Sequence, residues 1–95
     1  MSLPSDIIAK IERDFPKDEV APVVKLVGEL SAHNNGPFED RILRCVVYLS
    51  RGTYSGLARA VATAHEDWRD VILFAEYDSN DQHVRDLSQP FQSDV

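Results

Sequence analysis

Four groups of side chains could do chemistry: a lone cysteine, three scattered histidines, an acidic cluster and an arginine stripe. His65-Glu66-Asp67-Trp68-Arg69 sets a histidine beside a glutamate, as zinc hydrolases do. Such a site needs a second histidine one helical turn on, and position 69 is Arg. His33, His65 and His83 are too dispersed for a spacing-based metal site, so no metal and no cofactor is expected. Glu66, Asp67 and Asp70 could serve acid/base chemistry with His65, but carboxylates at the start of a helix are already explained by the helix dipole. Cys45 could be a nucleophile, yet it falls on an apolar helix face, where a thiol acts as a small hydrophobe. There is no Gly-x-Ser-x-Gly elbow and no glycine-rich phosphate loop. The expectation is a protein that is not an enzyme.

The fourth group is Arg41, Arg44, Tyr48 and Arg51. At spacings of three, seven and ten these residues share one helix face, and three guanidiniums in a row repel unless carboxylates or a partner offset them. They are the candidate partner-binding residues. The alternative is that acids on neighbouring helices, such as Asp40, Glu66 or Glu76, pair with them and close the surface.

Two segments must position these groups. In Arg41–Arg51, Ile42, Leu43, Cys45, Val46, Val47 and Leu49 cover more than half of a helix, and so wide an apolar arc has to be wrapped by other helices. Trp68–Tyr77 makes the same demand, with Val71, Ile72, Leu73, Phe74 and Ala75 consecutive. One stripe there is Trp68, Val71, Ile72 and Ala75; Phe74 with Tyr77 forms another, and Phe74 is expected in the core.

The remaining helices follow from punctuation and period. Ser5 can cap a first helix with Ile7, Ile8, Ile11 and Phe15 on its face, stopped by Pro16. A second begins near Asp18 and carries Val20, Val23, Val24, Val27 and Leu30; its valines suggest a strand, which Pro22 and the spacing disfavour. His33-Asn34-Asn35-Gly36-Pro37 is a loop, and Phe38 to about Ser50 is the central helix, closed by Gly52. Thr53 or Ser55 starts a fourth helix with Tyr54, Leu57, Ala58, Val61 and His65 facing inward, slimmed by alanines so that axes approach closely. Asp67 and Asp70 resemble a capping box opening the fifth.

The segment RILRCVVYLSRGTYSGLARAVATAHEDWRDVILFAEY resembles that of small, uncharacterised, all-helical bacterial proteins. In these an Arg-bearing apolar helix and a Gly turn precede a D-x-R-D-V-[IL] helix ending in Ala-Glu-Tyr, here Asp67, Arg69, Asp70, Val71, Ile72, Ala75, Glu76 and Tyr77. The resemblance covers roughly residues 20–78. It implies an all-α fold and brings no activity with it.

Length and charge bound the rest. A chain of 95 residues is one domain, able to bury about 65% of its unfolded surface. A single cysteine allows no internal disulfide, no stretch approaches the roughly 20 apolar residues of a membrane span, and there is no signal pattern, so a cytoplasmic protein is expected. The net charge of −6 is uneven: residues 1–40 hold four Lys/Arg against eight acids, 41–77 five Arg against four, and 78–95 one Arg against four Asp. Residues 54–74 weakly resemble a helix-turn-helix, with Arg41, Arg44, Arg51 and Arg59 as phosphate contacts. Its reading helix would open with three carboxylates, which disfavours nucleic acid. The expected architecture is all-α, a compact five-helix orthogonal bundle or a short stack of helical hairpins. Residues 1–78 form the domain and 79–95 an acidic, partly mobile tail. The function this favours is a non-enzymatic protein-interaction module with a protein partner, which includes a homodimer.

Overall fold

In the computed structural model, which describes residues 3–33, 39–89 and 91, the chain folds into five α-helices with no strand among the described residues. They are α1 (Ser5–Asp14), α2 (Val20–His33), α3 (Glu39–Ser50), α4 (Tyr54–Glu66) and α5 (Trp68–Glu76), with a 3-10 turn at Lys17–Glu19 leading into α2. The fold is all-α, as the periodicity requires. Its radius of gyration, 12.4 Å, is what close packing gives a chain of this length.

Local chemistry sets the helix limits. Pro4, with extended backbone, occupies the position before α1, and its carbonyl accepts from the amides of Ile7 and Ile8; Ser5 is therefore inside the helix and caps nothing. Ile7, Ile11 and Phe15, four apart, are all buried. Pro16 disfavours helical geometry at Phe15, which is extended, and α1 ends there. In α2, Val23, Val27 and Leu30 are buried and Pro22 lies in the first turn, where its missing N–H costs nothing. The expected loop after His33 falls on residues 34–38, outside the described residues.

α3 is the central helix. Ile42, Leu43, Cys45, Val46 and Val47 are each at most 5% exposed, because α1, α2, α4 and α5 all pack against it. Its exit is tightly built. Arg51 and Gly52 take consecutive left-handed conformations, and a Cβ on Gly52 would lie 2.7 Å from the Asp14 carbonyl oxygen of α1. Thr53 caps α4 by accepting from the Gly56 amide, and any side chain at Gly56 would collide with the Ser50 carbonyl.

On α4, Leu57, Ala60, Val61 and Ala64 face inward. The expected inward positions of Tyr54, Ala58 and His65 are corrected: all three are exposed, since the buried arc centres on residues 57, 60, 61 and 64. One residue, Asp67, both ends α4 and caps α5, accepting from the Arg69 amide at 3.1 Å. α5 buries Val71, Ala75 and Glu76. Phe74 is 58% exposed and Leu73 45% exposed, against the expectation for Phe74. Five consecutive apolar residues span every direction around a helix, and a nine-residue helix packed on α3 and α4 can bury only one side.

Beyond α5 the described residues turn back onto the bundle. The Asp78 carboxylate accepts from the amides of Asn80 and Gln82, Asp81 adopts φ +60°, and the chain reverses so that His83 pairs with Tyr77. The amides of Val84 and Arg85 then donate to the Glu76 carbonyl, and Leu87, 7% exposed, joins the core. Among the described residues no helix is long and apolar enough to cross a membrane.

Candidate functional site

The arginine stripe divides into an inner and an outer half. Arg41 on α3 donates from Nε and Nη2 to the Glu76 carboxylate of α5, at 2.8 and 2.6 Å. Glu76 is fully buried, and its oxygens also meet His83 Nε2 at 2.8 Å, the Leu87 amide at 3.3 Å and Cys45 Sγ at 3.9 Å. An ionised carboxylate only accepts, so His83 carries its proton on Nε2. Burial works to raise the Glu76 pKa, but the hydrogen bonds from Arg41 and His83 outweigh it and hold the group below its ordinary value.

Arg44, one turn on, pairs with Asp6 of α1: Nε to Oδ2 at 2.9 Å and Nη2 to Oδ1 at 3.3 Å. Its Nη1 donates to the carbonyls of Leu87 and Ser88, each at 3.3 Å. Asp6 Oδ2 in turn accepts from the Phe91 amide at 3.1 Å. Here too burial is opposed by Arg44 and Phe91, which hold the Asp6 carboxyl below the usual range. Both pairs are charge-assisted and two-pronged, the geometry a guanidinium offers and an ammonium cannot.

Arg41 and Arg44 thus fasten α1, α5 and the C-terminal segment onto α3, with Glu76 rather than Asp40 or Glu66 as the acid from the expected set. Tyr48 and Arg51 form the outer half. Arg51 lies over the Tyr48 ring at 5.9 Å and Arg85 over the same ring at 4.5 Å.

Of the other chemical groups, Cys45 and His83 meet Glu76 as described, and the acidic cluster lies at the junction of α4 and α5. His65 and Glu66 are exposed at the end of α4, and Asp67 is bound to Arg69 through Oδ1 and Oδ2 at 3.0 and 2.9 Å. No three His, Cys, Asp or Glu side chains among the described residues are grouped to hold a metal ion. Cys45 is fully buried; desolvation, aided by the Glu76 charge, pushes its pKa up to about 12, so the thiol stays protonated and packs as a hydrophobe. Of the four arginines of the helix-turn-helix reading, Arg41 and Arg44 are held by internal carboxylates.

A surface that the sequence reading missed lies beside Phe74. A cleft of about 250 Å³ runs between α4 and α5, lined by Leu49, Gly56, Arg59, Ala60, Thr63 and Phe74. The glycine and alanine of α4 hollow it, and the phenyl ring forms one wall. The signal was present in the sequence as Gly56 and Ala60 on α4 and a surplus of apolar residues on α5.

No protein-family model, curated protein or solved structure matches this chain. Its function is read from the geometry alone.

Proposed function

We propose that this domain is a protein-interaction module, without chemistry of its own, that docks a partner on the face of α4 and α5 around Phe74. The observation that carries the reading is Phe74 itself: a phenyl group 58% exposed at the wall of an apolar cleft, with Leu73 45% exposed next to it. Burying such a side chain is worth about 1.5–3 kcal/mol, which a monomer forgoes and a complex recovers. A rigid aromatic beside a small-residue hollow, with Arg59 at the edge, is the composition of an interface anchor and its rim. The docking face moves here from the Arg41/Arg44/Tyr48/Arg51 stripe because the two inner arginines already have carboxylate partners within the fold.

The partner includes a second copy of the chain, since a two-fold axis beside Phe74 would let each ring enter the other's cleft. Sedimentation from dilute to near-millimolar concentration, on wild type and Phe74→Asp, tests that form: wild type should gain mass with concentration and the variant should not. Affinity purification from the source cells with the same two proteins tests the general reading. A partner, self or foreign, held by wild type and released by Phe74→Asp supports it; wild type and variant behaving alike in both experiments would discard it.

A further inference from the structure

A second cavity, sharing no residue with the Phe74 cleft, opens where α1, Tyr48 and the C-terminal segment meet. It has a volume of about 440 Å³, within the range of small-molecule sites, and is lined by Lys10, Arg13, Tyr48, Arg85, Asp86 and Phe91 together with Leu87 and Gln89. Leu87 and the two rings supply apolar walls; Lys10, Arg13 and Arg85 supply charge. We propose that this pocket binds a small organic anion, a phosphate or carboxylate carried on an apolar or aromatic body.

The case rests on how the cations are held. Arg85 lies over the Tyr48 ring at 4.5 Å and its Nη1 is anchored on the Ala75 carbonyl, so the guanidinium is fixed before any ligand arrives. Lys10 Nζ is placed between Asp14 at 2.6 Å and the centroid of the Phe91 ring at 5.1 Å. Arg13 stands 3.7 Å from the same Asp14, beyond hydrogen-bond length, and its side chain is 45% exposed. One carboxylate therefore serves two cations. Asp86 lies in the same lining and offsets one of these charges, its Oδ1 accepting from the amide and hydroxyl of Ser88. Among the described residues three cations, Lys10, Arg13 and Arg85, meet two acids, Asp14 and Asp86, an excess of one positive charge in a chain whose net charge is −6. A local excess of positive charge against an acidic background attracts an anion, and side chains already immobilised lose little entropy in gripping it.

The probes are phenyl phosphate, benzoate, inorganic phosphate and phenol, titrated into the isotope-labelled full chain at low salt and followed by amide chemical shifts. Phenyl phosphate or benzoate should produce saturable shifts at Lys10, Arg85 and Phe91, and whichever binds more tightly assigns the anionic group. Inorganic phosphate should bind more weakly, lacking the body that meets Leu87 and the rings, and phenol should not saturate. Arg13→Gln, at an exposed position, should weaken binding about tenfold, the loss of one charge-assisted hydrogen bond, whereas Lys25→Gln on α2 should leave it unchanged. The proposal is overturned if neither organic anion saturates, if phenol matches them, or if Lys25→Gln weakens binding as much as Arg13→Gln.

Discussion

Replacing Glu76 by Gln tests the central clamp at nearly constant volume. The carboxylate accepts from Arg41 twice, from His83 and from the Leu87 amide, so whichever oxygen becomes an amide nitrogen will face at least two donors. Removing one member of a buried ion pair costs about 3–5 kcal/mol when the other member is left dry. Arg41 and His83 are 26% and 43% exposed and can turn partly to water, while the Leu87 amide is buried with the site. The expected cost is therefore about 2–4 kcal/mol, a large share of the ~5–15 kcal/mol available to a domain. With a urea slope of roughly 1–1.5 kcal/mol/M for a chain this small, the midpoint should fall by about 2 M with the slope unchanged. Phe74→Ala, at an exposed ring, should cost under about 1 kcal/mol. The acid limb supplies a second readout. Glu76 has a folded pKa below its ordinary 4.5, so its contribution is complete above the unfolded value and is lost as pH falls through the folded one. Wild type should lose stability below about pH 4.5 more steeply than Glu76→Gln, with Asp6, Asp67 and Asp86 among the groups that keep a slope in both. A Glu76→Gln loss under about 0.5 kcal/mol, or a larger loss from Phe74→Ala, would refute the clamp.

Two further outcomes follow from the same packing. Leu87→Ala should cost about 2–4 kcal/mol by denaturation, as a core leucine does, and a loss below about 1 kcal/mol would place residues 79–89 outside the cooperative unit. Cys45, with a folded pKa raised from 9.0 to about 12, contributes stability that is whole below pH 9 and declines as pH rises toward 12, because the unfolded thiol ionises first. Cys45→Ala should flatten that alkaline decline in a pH series of urea midpoints, and an unchanged slope would show that the thiol is reached by water.

Helix faces with neighbours on one side were legible from period alone: Ile7, Ile11 and Phe15, then Val23, Val27 and Leu30, are buried where their spacing placed them. α3 was legible for the opposite reason, since an apolar arc that wide fits only a central helix. Phe74 was not, because a run of five apolar residues contains no phase, and which side of α5 meets α4 is decided by tertiary packing. Leu87 was invisible as one apolar residue among polar ones; its burial depends on Arg44 capturing the carbonyls of Leu87 and Ser88. That the arginines would meet acids was legible from their mutual repulsion, and Glu76 was among the named partners. Asp6 was not, because a carboxylate at the start of a helix is already accounted for by the helix dipole.

The bond from Asp6 to the Phe91 amide bridges 85 positions of sequence and bears on how the protein is made. A ribosome delivers α1 before the segment around Leu87, so Arg44 and Asp6 wait for the backbone groups they finally hold. The core stays open at one seam until Leu87, Ser88 and Phe91 have been made. Premature termination near Tyr77 would yield five helices lacking this seal, a product that quality-control proteases should recognise. The proximity of Asp6 to Phe91 would let a short linker join the residues around them, with new termini opened in an exposed turn such as Asp78–Gln82.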